Sequence, residues 1–167
     1  MAVKRIMVLS GGGPRGAWHV GLMDALTERG IRFDGYCGVS VGALCAAHLA
    51  QWHRADVREA VAELKEIFLN TTTEQVHRKW KFWPWIVPLK PSVFDSSPLR
   101  TGIIENMLDP RRVASSGQIL RMGAVSLDDG RYYACTERMT KWMKDYAWAS
   151  SQLAPFWQPV EIAGRRL

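Results

Sequence analysis

Gly38-Val39-Ser40-Val41-Gly42 sets one serine between two glycines in the pattern G-x-S-x-G, after a strand-like run and before a helix-like one. A serine so placed is displayed on a sharp strand-to-helix turn, its hydroxyl clear of the backbone and helix N–H groups close by. Gly38 and Gly42 are what such a turn needs, because crowded backbone leaves no room for a β-carbon. The chemistry open to Ser40 is nucleophilic attack on an acyl carbon. A second glycine-rich stretch, Gly11-Gly12-Gly13-Pro14-Arg15-Gly16, stands between the apolar residues 5–9 and the helical spacing of Val20, Met23 and Leu26. A loop of this kind points its backbone N–H groups at negative charge over the helix N-terminus. Two charges fit: a resident phosphate, or the oxyanion that forms when a serine attacks an ester.

The phosphate reading is the weaker of the two. Gly11, Gly13 and Gly16 match the dinucleotide spacing, but that fingerprint wants an acidic residue at the end of the next strand. Here the next strand, about residues 33–37, ends in the serine turn, and Asp34 stands near its beginning. No Gly-Lys-Ser/Thr follows the loop, so a Walker A loop is absent as well.

A serine hydroxyl also needs a positioned base. In the order serine, acid, histidine of the α/β-hydrolases the histidine comes last. His19, His48, His53 and His77 include none beyond residue 77. His48 and His53 fall in the helix after Ser40, where packing or solvent-facing roles are commoner; His19, one turn into the first helix, is close enough to the site to be considered. Asp129-Gly130 lies between the strand-like residues 120–127 and 132–136, where a hairpin turn is expected. Asp129 is therefore a turn residue first and a candidate base second.

Gly-Gly-Gly-Pro-Arg-Gly after the first strand and Gly-Val-Ser-Val-Gly-Ala after the second resemble the start of a patatin-like phospholipase. The resemblance continues through Ser96-Ser97-Pro98-Leu99, residues 122–127, Ala149-Ser150-Ser151, Pro155 and Pro159-Val160, and is weakest over residues 54–95. It implies a serine–aspartate dyad that hydrolyses acyl esters of lipids without metal or other cofactor. Ser40 would be the nucleophile, and the loop of Gly11, Gly12, Gly13, Arg15 and Gly16 the oxyanion hole. Arg15 would either tie the loop or meet an anionic head group. The family's aspartate belongs to an Asp-Gly-Gly or Asp-Gly-Ala motif, which the resemblance sets just past Leu167. On that reading, residues 1–167 are a single patatin-like domain ending short of its motif. The alternative, from another class, is a non-catalytic lipid- or partner-binding remnant of the same fold.

The elements that must position these loops alternate strand, helix, strand, helix. That alternation implies an α/β fold with a mainly parallel sheet covered on both faces, the three-layer α/β/α arrangement of the patatin-like family. Residues 41–52 read as a buried, alanine-rich central helix. Asp56 is expected to cap the next helix, whose stripe is Val57, Val61, Leu64 and Phe68. A chain of 167 residues can bury about 70% of its unfolded surface. It shows no repeat, no run of ~18 apolar residues and no apolar leader before its first strand. Cys37, Cys45 and Cys135 are odd in number, widely spaced and without ligand spacing, so they read as reduced, buried cysteines of a cytoplasmic protein.

Residues 77–91 differ from the rest. They hold Trp80, Trp83 and Trp85, with Phe82, among His77, Arg78, Lys79, Lys81 and Lys90, and three prolines exclude a regular helix from the second half. Tryptophan with lysine suits a bilayer headgroup region. The competing expectation is a loop folded over the chain's own core. The net charge of +6 comes from dispersed basic residues without a nucleic-acid-binding motif, so lipid, not nucleic acid, is the expected partner.

Overall fold

The computed structural model describes residues 4–83, 85 and 87–167. In chain order the elements are β1 (Ile6–Leu9), α1 (Ala17–Glu28), β2 (Gly35–Gly38), α2 (Val41–Ala50), α3 (Val57–Asn70), α4 (Thr73–Val76), β3 (Arg78–Lys79), β4 (Phe94–Asp95), α5 (Glu105–Met107), α6 (Pro110–Ser115), β5 (Ile119–Val125), β6 (Tyr132–Thr136), α7 (Met143–Ser150), β7 (Glu161–Ile162) and β8 (Arg165–Arg166). A π-helical stretch, Leu99–Ile104, leads into α5.

The central sheet has the order β1-β2-β5-β6. The first three strands are parallel, and β6 returns antiparallel on β5. Leu9, Gly38 and Met122 lie side by side in the register, so β1 and β2 end at one level with both glycine turns at the same edge. The molecule is thus α/β with a mainly parallel sheet, as the alternation of elements predicts.

The connections β1-to-β2 and β2-to-β5 step across the sheet in one direction. Right-handed crossovers that step the same way put their helices on the same face. Burial follows that rule. Leu9, Tyr36, Leu120, Met122 and Cys135, which share one face, are fully buried. The opposite face presents Ile6, Val8 at 73% exposure, Val125 and Tyr132. The described helices thus pack on the buried face of the sheet.

The helical layer packs closely because α2 is nearly all small on its inner side, with Ala43, Ala46, Ala47 and Ala50 buried. Its His48 is a packing residue: the ring bonds the Ala60 carbonyl through Nε2 (3.0 Å), and burial pushes the imidazole pKa down. On α3 the buried stripe is Val57, Ala60, Val61 and Leu64. Asp56 precedes α3 but its carboxylate caps nothing there. It ends a 3₁₀ turn at φ −98°, ψ 18°, not in the extended backbone from which an N-cap side chain reaches forward. Cys45 and Cys135 are buried free thiols whose pKa burial pushes up to about 12.

Ion pairs fix α7 against the π-helical stretch and α5. Arg100 bonds Asp145 (3.1 Å), and Lys144 bonds Glu105 (2.7 Å). The short β3–β4 pair forms the neck of the tryptophan-rich segment. Trp80 is tied into that neck, its indole N–H donating to the Ser92 carbonyl (2.9 Å) with Lys90 over the ring (4.9 Å). Beyond it Phe82, Trp85 (87% exposed) and Leu89 face outward. Pro84 and Ile86 of this segment lie outside the described residues.

The burial of α3 yields a paired test. Leu64→Ala should lower stability by about 2–5 kcal/mol, since a fully buried leucine leaves a cavity. Leu69→Ala, 70% exposed on the same helix, should change it by less than about 0.5 kcal/mol. Urea unfolding midpoints of both variants check the contrast.

Candidate active site

β2 ends at Gly38 and the chain enters α2 within two residues. Ser40 makes the corner at φ 56°, ψ −129°, a conformation that costs a non-glycine residue about 1–3 kcal/mol. Backbone bonds enforce it. Val39 N–H donates to the Leu9 carbonyl (3.2 Å), Gly42 N–H to Val39 (2.9 Å) and Ala43 N–H to Ser40 (2.8 Å). The N–H of Ser40 itself donates to Ser150 Oγ (3.0 Å), at the end of α7.

The glycines are sterically required. A β-carbon at residue 38 would stand 2.0 Å from the Gly42 carbonyl oxygen, and one at residue 42 would stand 2.2 Å from that of Leu9. The two turns therefore interlock through bare backbone. At residue 16 a β-carbon would meet the Val41 side chain at 2.4 Å and the Phe68 ring at 3.0 Å. At residue 11 it would lie 3.1 Å from Ser40 Cβ, so the glycine loop rests directly against the serine.

Gly13 has φ 56° and opens a 3₁₀ turn that runs into α1. Among the described residues, the N–H groups of Gly11, Gly12, Gly13 and Val41 donate to no backbone or side-chain acceptor. A row of unspent donors thus borders Ser40, at the joined N-termini of two helices, where partial positive charge accumulates.

The other candidates fall elsewhere. His19 Nε2 bonds the Ser10 carbonyl (2.8 Å) and so pins the start of the glycine loop. Asp129 sits in the exposed β5–β6 turn, accepting from Tyr133 OH (2.7 Å) and from Arg131 N–H (3.1 Å). The bond from Tyr133 holds its carboxyl below the usual carboxylate range. Asp34, which also precedes a glycine, lies at the far end of β2. There it accepts from Arg5 N–H (2.8 Å) and pairs with Arg54 (3.2 Å). It stands a strand's length from the loop, at the wrong end for a ribose. Arg15 is exposed and in no ion pair among the described residues, and its backbone N–H donates to the Gly12 carbonyl (3.2 Å) within the loop. No carboxylate or imidazole among the described residues is hydrogen-bonded to Ser40. No three His, Cys, Asp or Glu side chains converge as a metal site among them either. An open groove of about 420 Å³, lined by Glu74, Gln75, Arg78, Ser97, Thr101 and Asn106 among others, lies apart from Ser40.

The model of the patatin-like phospholipase family matches residues 7–167. The chain belongs to that family. Neuropathy target esterase sws of Drosophila persimilis is 54% identical over 41 residues, which is 25% of this chain and 3% of the esterase. The Drosophila melanogaster protein of the same name matches to the same extent. VipD from Legionella pneumophila superposes with a TM-score of 0.53 over 98% of this chain and 45% of its own, at 12% identity, a likeness of fold. This patatin-like chain therefore spans a small part of those esterases and under half of VipD.

Ser150 is the site residue that sequence reasoning did not single out. It stands within Ala149-Ser150-Ser151, yet no local pattern ties it to a turn 110 residues away.

The interlock predicts unequal effects of two glycine substitutions. Gly42→Ala drives a methyl group into the Leu9 carbonyl and should cost on the order of 3 kcal/mol or prevent folding. Gly13→Ala meets nothing within 4 Å, so it should fold and lose only the roughly 1–2 kcal/mol of a left-handed backbone. Thermal unfolding of the two variants measures the difference.

Proposed function

We propose that the chain carries the nucleophile and oxyanion site of a serine acyl hydrolase acting on lipid esters. The observation that supports this most is the contact of Gly11 with Ser40, which sets unspent N–H donors beside a hydroxyl on a strained turn. In this reading Ser40 Oγ bonds to the ester carbonyl carbon while its proton passes to a base. The carbonyl electron pair moves onto oxygen and is held by N–H groups of residues 11–13 and Val41. Collapse of that oxyanion breaks the ester C–O bond, and the departing alkoxide takes the proton from the base. Water then repeats the sequence on the acyl-enzyme and releases the acid. Removing one such donor costs about 2.7–4 kcal/mol in the transition state.

The base is the aspartate that the family resemblance implies past Leu167. Leu127 N–H donates to the Arg166 carbonyl (2.8 Å), so the strand of β8 runs beside the end of β5. That is the sheet edge to which β1 and β2 also point. The second reading, a non-catalytic lipid-binding remnant, draws on the lack of any acid or imidazole bonded to Ser40 among the described residues.

Ester hydrolysis separates the two. In a chain extended through the aspartate motif, Ser40→Ala should retain the wild-type melting temperature and lose at least about 10³-fold in p-nitrophenyl ester hydrolysis. Residues 1–167 alone should hydrolyse the ester feebly. A fluorophosphonate should modify Ser40 alone, read by peptide mass. An extended wild-type chain inert to both ester and fluorophosphonate supports the remnant, and modification at another serine overturns the assignment.

The proposed partner is an anionic lipid surface. Phe82, Trp83, Trp85 and Leu89 would enter the headgroup region, with Trp80 as the fixed base of the segment. Lys79, Lys81 and Lys90 would each add about 1 kcal/mol of attraction, screened by salt. Among the described residues no helix is long and apolar enough to cross a membrane, so the contact would be peripheral. Vesicles containing phosphatidylserine should blue-shift tryptophan emission and co-sediment the protein, less so at high salt. Trp83→Ala with Trp85→Ala should abolish sedimentation without lowering stability. Loss of stability with unchanged wild-type emission would make the segment a cover for the core.

A further inference from the structure

Ser150 and Ser151 are adjacent at the end of α7 and are used differently. Ser151 Oγ donates to the Ala147 carbonyl four residues back (3.0 Å), the usual bond of a helical serine. Ser150, only 8% exposed, makes no such bond. Its oxygen accepts the N–H of Ser40 at 3.0 Å.

That N–H has no other partner among the described residues. Val39 N–H is spent on β1, and the next N–H along an extended strand would face β5. At Ser40 the chain has already turned, so the ladder cannot take it. An unmet, half-buried N–H would favour rotation of the residue 39–40 peptide, out of the φ 56° conformation that aims the side chain.

The acceptor is itself held firmly. α7 packs on β5, Asp145 is bonded by Arg100, and Ser96 Oγ donates to Gln152 Oε1 (2.7 Å) just past the helix end. The geometry assigns to Ser150 the role of positioning residue for the nucleophile: its hydroxyl oxygen holds the Ser40 peptide so that Oγ stays against the glycine loop. This rests on the reading of Ser40 as nucleophile.

The test compares Ser150→Ala, Ser150→Thr and Ser150→Cys in the 167-residue chain by residue-resolved amide hydrogen exchange. Ser40 exchange should rise roughly tenfold in the alanine variant, the size of one neutral hydrogen bond. Val39 and Gly42, held by backbone carbonyls, should keep their rates. Threonine keeps the oxygen and should restore wild-type exchange, while cysteine, a weak acceptor, should fall between. In a chain extended through the aspartate motif, fluorophosphonate modification of Ser40 should slow in the same order.

Wild-type Ser40 exchange or undiminished modification in Ser150→Ala overturns the assignment. So does a uniform rise across β2, α2 and α7, because Ser150 would then only stabilise the helix. Should the alanine variant not fold, equal Ser40 exchange in the threonine and cysteine variants overturns it. If Ser40→Ala keeps full hydrolysis, the nucleophile reading fails instead, and the exchange result still reports whether the bond exists.

Discussion

Two backbone turns can share one site only if neither carries a side chain where they cross. At Gly42 that crossing is the Leu9 carbonyl, 2.2 Å from where a β-carbon would be. The helix after the serine can then start directly on the end of the first strand, and the glycine loop that leaves that strand falls against Ser40. Gly38 does the same inside the elbow, and Gly16 does it for the contact of the first helix with Val41 and Phe68. The serine's strained backbone, the row of unspent N–H groups and the parallel register of β1 and β2 all follow from this close approach. A well-packed interior does not yield by more than a few tenths of an ångström, so the arrangement is all or nothing.

The sheet amplifies that local constraint. Parallel strands carry their connecting loops at the carboxyl ends, and ligands on such sheets bind there. Here β1 and β2 lie side by side, so the loops that leave them are neighbours in space although about 25 residues apart in sequence. α7 then closes the site from the side of β5, contributing Ser150 and drawing the Ser96 region in through Gln152. The site is thus assembled from two loops of one sheet edge and the end of a helix that packs on β5.

Both glycine motifs were legible in the sequence because their requirement is steric and local: a glycine is needed where no other residue fits, and spacing alone reveals it. The turn at Asp129-Gly130 was legible for the same reason, since Gly130 takes φ 70° between two strands. Strand order was not. Nothing in an alternation of strands and helices tells which way successive crossovers step, so the order β1-β2-β5-β6 had to come from the structure. The cap assigned to Asp56 depended on a backbone angle that a 3₁₀ turn changed. Composition marked residues 77–91 as unusual but could not tell Trp80, bonded to Ser92, from Trp85, turned outward. Ser150 was illegible because its partner is 110 residues distant.

The uncovered sheet face changes how the folded state must be recognised. Ile6, Val8, Val125 and Tyr132 are exposed apolar side chains on one sheet face, which also carries Arg121 and Gly123, whose missing side chain leaves room for the Tyr132 ring. Dyes such as ANS, which brighten on exposed apolar surface and are commonly taken to report a molten state, would bind this face with residues 1–167 fully folded. For residues 1–167 such brightness would mark topology and not loosened packing, and near-ultraviolet circular dichroism from the buried aromatic side chains becomes the measure of order.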